Sequence, residues 1–472
     1  MHQVRANHPS RRTLLKTLGG VAGLVGTPAS LGAVDATPKP GKKVRGVVFM
    51  VSDGMSPGVL TLAESWSHLT RQRGTRWWEL YNDPSAGRGL MDTGSADSMV
   101  TDSAAASSAW GGGERVNNAM INIDPKGRSV TSIAQLLKQK GGRIGLVTTA
   151  KVTHATPAGF ASHIANRNDE AEIAPQYLNR VDVILGGGSK FFQPKARKDG
   201  RNLAAEFEKA GYQIVANRDA LLAAKGAKLL GTFSPDHMPF SIDREHDSKL
   251  AAKTPSLAEM ARAGLARFLE GDEPFLLQVE GARIDHAAHL NDIGGLLGDQ
   301  LAFDDALAEV LTMTAGRDDI LVVATSDHGN SNPGLRGMGA RYQKSNHHFE
   351  QIQRCRASYE NIFYRWVGVK EQNPRTFAKL VKETLDFSLS ADESEAVVDI
   401  LKGKKVLEWN HQMANPEGVI GQIVGNHTGI GWTGTTHTSD PTLVSAVGPE
   451  AERFAGIVVN TDVNGHFRDL LL

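Results

Sequence analysis

Cysteine is almost missing from this 472-residue chain. Cys355 stands alone, so no disulfide can close within it in any compartment. Net charge is missing too: 52 lysines and arginines balance 52 aspartates and glutamates. No global field therefore recruits nucleic acid or an anionic membrane, and any preference for anions must come from local clusters. Beyond the N-terminal residues no run approaches the roughly 18 apolar residues of a membrane span, so the mature protein is expected to be soluble. Internal repeats and low-complexity tracts are also lacking. What is present, 40% apolar and 22% charged residues, is globular in composition and long enough for one large α/β domain or two or three smaller ones.

The first residues read as an address rather than as fold. Ser10 to Lys16, SRRTLLK, is a twin-arginine pattern, and LGGVAGLVGTPASLGA follows it. Basic region, apolar core and small-residue end occur in the order of an export signal, with cleavage expected near Ala29 or Ala33. Residues 1–33 are thus assigned to a signal and 34–472 to the mature protein, expected to be periplasmic or extracellular.

Downstream, short apolar runs alternate with helical patterns. Arg45 to Asp53, Arg143 to Ala150, Val181 to Gly188, Pro274 to Gly281 and Ile320 to Gly329 read as buried strands ending in Gly, Asp or Ser. Ser129 to Gly141 and Asn202 to Gly211 read as helices between them. Such alternation predicts a doubly wound, mainly parallel sheet with helices on both faces, and a ligand site beyond the carboxyl ends of its strands. From about 331 to 425 the pattern becomes mostly helical, as in Arg375 to Phe387 and Ser394 to Lys405, and reads as an insertion, a cap or a subunit contact. The sheet pattern returns at Thr442 to Pro449.

The strand ends carry the chemistry. Asp53 closes the first strand; Glu280 closes another and is followed by Asp285, His286 and His289; Asp327 and His328 close a third; His437 lies in a late loop. If Ile284 to Leu290 is helical, Asp285 and His289 are four apart and share a face, so one ion can take both. Nitrogen and oxygen donors without cysteine suit catalytic zinc, whereas the oxygens of Asp53, Thr156 and Glu280 suit magnesium. Taken singly, each residue has a bland reading as a turn, a cap or a surface histidine. Together at one sheet edge they do not. In TDSAAASSAWGGG, Thr101 to Gly113, a small-residue helix starts at Asp102 and Ser103; the Ser103 hydroxyl suits a cap, and equally a nucleophile that must meet an anion at a helix N-terminus. In VTHATPAGFASHIANRN, Pro157 favours a helix start at Ala158, placing Arg167 about three turns along as a fork for two oxygens of a tetrahedral anion.

VSDGM, TDSAAA, THATPAGFASHIANR, VEGARIDHAAH, TSDHG and GTTHTSD, in that order from Val51 to Asp440, resemble the motifs of the alkaline phosphatase family of metal-dependent phosphomonoesterases. The resemblance does not reach residues 331–425. It implies an alkaline phosphatase-like α/β fold, two zinc ions, a magnesium ion, and hydrolysis of phosphate monoesters through a phosphoserine. By motif, Ser103 would be the nucleophile and Arg167 would bind the phosphoryl oxygens. Asp285, His289 and His437 would hold one zinc, and Asp53, Asp327 and His328 the other. Asp53, Thr156 and Glu280 would ligate the third ion. Some members carry Asp at the place of His154 and Lys at that of His286; both are His here, which removes a negative charge beside the third ion. Family members are often homodimers. A diesterase or sulfatase on the same scaffold, and a non-catalytic binding protein, are the competing readings.

Overall fold

The computed structural model describes residues 43–339 and 342–472. The twin-arginine stretch and its apolar sequel lie outside the described residues. Among those described, ten strands form one sheet: β1 (Gly46–Val51), β2 (Gly87–Asp92), β3 (Arg143–Lys151), β4 (Val183–Gly187), β5 (Gln213–Val215), β6 (Leu229–Thr232), β7 (Phe275–Glu280), β8 (Ile320–Thr325), β9 (Thr442–Val447) and β10 (Gly456–Val459), in the order β10-β2-β9-β8-β1-β7-β3-β4-β6-β5. Every pairing is parallel except those of β9, which runs against both β2 and β8. The expected, mainly parallel sheet is therefore what forms.

Five strands match the apolar runs read from sequence, because each is buried on both faces and needs no alternation. Along β1, Val47, Phe49 and Val51 join one core, and Val48 and Met50 the other. The helices that matter for the site are α1 (Ser103–Gly112), α2 (Ala155–Ala161), α3 (Arg283–His289), α4 (Ile293–Met313), α5 (Tyr359–Val367), α6 (Pro374–Leu385), α7 (Ala391–Leu401) and α8 (Pro416–Thr428). Residues from α5, α6, α7 and α8, among them Ile362, Phe377, Val397 and Ile420, belong to the same core as Val48 and Met50. The helical stretch between 331 and 425 is thus packed through the helices on that face of the sheet rather than folded apart from it.

Two local predictions need correction. The helix carrying Thr156 starts at Ala155, not Ala158, because Pro157 sits in its first turn, where a missing N–H costs nothing. It ends at Ala161, so Arg167 lies on the following loop rather than three turns along a helix.

Candidate active site

Four neighbouring strands, β8-β1-β7-β3, deliver the chemistry at their carboxyl ends. Their register places Val51 beside both Glu280 and Thr325, and Thr148 beside Glu280. Asp53 follows β1, Glu280 ends β7, Asp327 and His328 follow β8, and His154 and Thr156 follow β3. His437 arrives from far along the chain because His437–Thr438 pairs antiparallel with Gly329–Asn330, a short separate ladder just after β8. Gly54 is required for this convergence. It has φ +67, and a Cβ there would collide with the Asp285 carboxylate.

Asp285, His289 and His437 meet as expected. His289 Nε2 lies 3.1 Å from His437 Nε2 and 3.4 Å from Asp285 Oδ2, and His437 Nε2 lies 3.6 Å from Asp285 Oδ1. Donors at about 2.0–2.1 Å from a tetrahedral ion stand ~3.3 Å apart, which is this spacing. The outer nitrogens are fixed as well: His289 Nδ1 donates to Thr435 O at 2.8 Å and His437 Nδ1 to Thr101 O at 2.9 Å, leaving both Nε2 atoms as neutral ligands. Asn330 Nδ2 donates to Asp285 Oδ1 at 2.7 Å.

Asp53, Asp327 and His328 form the second group, fully buried, with His328 Nε2 3.2 Å from Asp327 Oδ2 and 3.7 Å from Asp53 Oδ1. Asp53, Glu280 and His154 form a third. Asp285 also comes within ligand range of His328 and His437 together, and the His328 and His437 rings stack at 3.6 Å, so the first two groups abut.

The donor set fits cations. Both oxygens of Asp53, Glu280 Oε1, Asp327 Oδ2, Thr156 Oγ1 and His154 Nδ1 are buried with no hydrogen-bond partner among the described residues. Buried polar atoms are rarely left so. Burial, followed by repulsion from Asp327, Asp285 and Glu280, pushes the Asp53 carboxyl well above its ordinary range. Burial raises Glu280 and takes Asp327 to about 7. Burial would raise Asp285 too, yet His289, His437 and His328 hold it well below the usual range. Four carboxylates share a space that only added positive charge makes favourable.

Ser103 sits in this shell. Its Oγ is 3.2 Å from His328 Nε2. The helix cap is its neighbour: Asp102 Oδ1 accepts from Ala105 N at 2.9 Å, which leaves the serine hydroxyl uncommitted to capping. Asp102 Oδ2 also accepts from Arg167 Nη1 at 2.9 Å, so the arginine is held beside the helix N-terminus even though it comes from a loop. The alanine and glycine run has a second purpose. Gly111 packs onto the Gly159 carbonyl and Ser107 onto Gly159, contacts that a Cβ on either glycine would break. Ser107 Oγ donates to Ala155 O at 2.9 Å. This approach sets α1 against α2, and Phe49 of β1 braces α1 through an edge-on contact with Trp110.

The structure places His154 and His286 together, with ring centroids 5.6 Å apart, and His154 Nε2 is 3.2 Å from Arg167 Nη2. It adds two residues that sequence reasoning missed. His237 packs edge-on against both rings, at 5.4 Å and 4.4 Å, and Arg283 donates to His286 Nδ1 at 2.7 Å. The only signal for Arg283 was its place in VEGARIDHAAH; His237 comes from a distant loop with no local signature.

A family model described as alkaline phosphatase matches residues 44–471. Alkaline phosphatase 3 of Bacillus subtilis is 30% identical over 433 residues, covering 89% of this chain and 87% of its own. The crystal structure of Thermus thermophilus alkaline phosphatase aligns with a TM-score of 0.85 at 31% identity, over 95% of this chain and 96% of that one. A cold-active alkaline phosphatase from a psychrophilic Shewanella sp. gives a TM-score of 0.74 at 27% identity, over 90% and 100%. Shared sequence, shared fold and a buried carboxylate–imidazole cluster agree: the chain belongs to the alkaline phosphatase family and is a metal-dependent hydrolase of phosphate monoesters.

Proposed function

We propose that the chain is an exported alkaline phosphatase of broad specificity that works through a phosphoserine on Ser103, at a site for two zinc ions and a third ion, magnesium. Asp53, Asp327 and His328 would hold the zinc nearest Ser103, Asp285, His289 and His437 the other, and Asp53, Thr156 and Glu280 the third ion. Bound in pairs, such ions supply Lewis-acid stabilisation to the entering and leaving oxygens of an in-line displacement. Ser103 Oγ attacks phosphorus, and the ester oxygen leaves and takes up a proton as the alcohol. Water then displaces the serine oxygen, releasing inorganic phosphate and restoring the hydroxyl. Arg167, anchored on Asp102, turns its remaining N–H donors to the phosphoryl oxygens. The N-terminus of α1 adds its dipole to the same anion. His154 gives the third position a nitrogen donor, which suits zinc better than magnesium. The twin-arginine stretch supports export, and family resemblance alone supports a homodimer.

The observation that carries this reading is Ser103 Oγ at 3.2 Å from His328 Nε2, inside the converging carboxylates. Turnover of p-nitrophenyl phosphate by zinc-loaded protein, ion-resolved metal analysis, and trapping of labelled phosphate on Ser103 test it. A folded, metal-loaded protein without turnover would reject it.

A further inference from the structure

The two ligand groups differ in how they meet solvent. Asp53, Asp327 and His328 side chains are 0% exposed, whereas His437 is 15% and His289 39% exposed. The site is open to solvent past His289 and His437. On that side lies a cavity of about 500 Å³. One wall is the loop 433–438, whose Thr435 carbonyl orients His289. The opposite wall is His411, Gln412 and Asn415, from the stretch just before α8, and Asn415 Nδ2 donates to Thr435 Oγ1 at 2.9 Å to tie the walls together.

The lining is chemically uniform. The Asn415 amide and the Thr433, Thr435 and Thr438 hydroxyls are bonded within the protein, which leaves Thr436, Gln412 and His411 as polar groups free to meet a ligand, and among the described residues no Asp, Glu, Lys or Arg lines the cavity. An apolar leaving group would strand these groups; a charged one would find no counter-charge. A second cavity, of about 410 Å³ on the His237 side, is bordered by Asp236, Asp243 and Glu360, which already pair with Lys190, Ser358 and Arg283, so it has a charged lining that the first cavity does not share.

We propose that the cavity between loop 433–438 and the His411–Asn415 turn is the leaving-group subsite, and that within a broad range of monoesters it favours those of polyhydroxylated alcohols such as sugars. The inference rests on the phosphomonoesterase reading and deepens it. His411 and Gln412 are the specificity-determining residues, and neither touches the phosphorus or its ions.

The test compares a hexose 6-phosphate with phenyl phosphate on zinc-loaded full-length protein, for the parent, His411→Ala, Gln412→Ala and the double variant. Loss of each neutral hydrogen bond should lower the hexose-to-phenyl ratio of kcat/KM by about three- to tenfold, mainly through KM. Both positions are exposed turn residues, so folding is not at stake; inhibition by inorganic phosphate checks that the central site stays assembled. Gln412→Trp, which fills the cavity, should depress the hexose ester more than methyl phosphate. A ratio constant within twofold across all variants overturns the subsite. If the parent turns over neither ester, the phosphatase reading itself has failed, a different outcome from an unmoved ratio.

Discussion

The two ligand shells beside Ser103 share a chemistry and differ in how they are held. On the open side every ligand has a second partner from the protein: Thr435 O for His289, Thr101 O for His437 and Asn330 for Asp285. On the closed side Asp327 Oδ1 accepts from Gly54 N, but Asp327 Oδ2 and both Asp53 oxygens have no hydrogen-bond partner among the described residues. The open shell is preorganised by hydrogen bonds and should keep its shape when empty. The closed shell is held by burial and left with unsatisfied carboxylates, so it depends on its cation for its stability as well as for chemistry.

The largest effect should come from the residue between them. Ser103→Ala should lower turnover by ~10³-fold or more while both shells retain metal. Turnover measured beside ion-resolved metal analysis checks this; loss of metal along with activity would show that the serine belongs structurally to the closed shell, breaking the division drawn here. Next comes Asn330→Ala, which removes the amide holding Asp285. Loss of such an outer partner is expected to weaken zinc binding about 10–100-fold, at the open shell only. Competition with a chromophoric chelator would reveal one weakened site; two weakened sites would mean that the shells are coupled.

The pH response of chelated protein separates the shells again. Asp327 is raised by burial from 3.8 to about 7, so the folded state holds a proton that the unfolded chain has released. Stability from this group is present at low pH and is lost as pH rises from about 4 to about 7. His289 behaves differently. Burial opposes its charge, but Asp285 raises it from 6.5 to about 9, so its contribution is full below 6.5 and is lost as pH climbs to about 9. Tm of the chelated protein should therefore decline in two windows. Asp327→Asn should flatten the lower decline and His289→Gln the upper. If either substitution flattened both, the shells would titrate as one unit.

How far the sequence reached into this site depended on whether a signal was local. Asp53, Glu280, Asp327 and His328 were legible because a fully buried strand is an unbroken apolar run, and the polar residue that ends it stands out. Asp285 and His289 were legible through helical spacing. Strand β2, GRGLMD, was not: its residues alternate between buried and exposed and include two glycines. Serine and aspartate both cap well, so Asp102 as the cap and Ser103 as the free hydroxyl could not be told apart until the Ala105 contact was seen. Pro157 misplaced its helix because proline is tolerated anywhere in a first turn. His237 was invisible, since its importance lies wholly in tertiary contacts with His154 and His286.

The contrast between buried and open recurs where the helical stretch meets the site, and there the expected effect is smallest. Arg283 is almost fully buried, stacked at 3.7 Å over Phe240, with one arm on His286 Nδ1 and the other 2.7 Å from Glu360 at the start of α5. Because a guanidinium only donates, this contact fixes Nδ1 of His286 as the acceptor, and neutral His286 must carry its proton on Nε2. Arg283→Met would release that tautomer and leave the imidazole and Glu360 without their donor. Glu360→Gln removes only the outer charge, on a side chain that is 56% exposed, where solvent screens most of the attraction. It should cost about 1 kcal/mol, the upper end of the ~0–1 kcal/mol usual for an exposed pair because one partner is buried, and thermal denaturation of the two variants side by side measures the difference. A Glu360→Gln loss as large as that of Arg283→Met would mean that α5, not burial over Phe240, keeps the arginine aimed at His286.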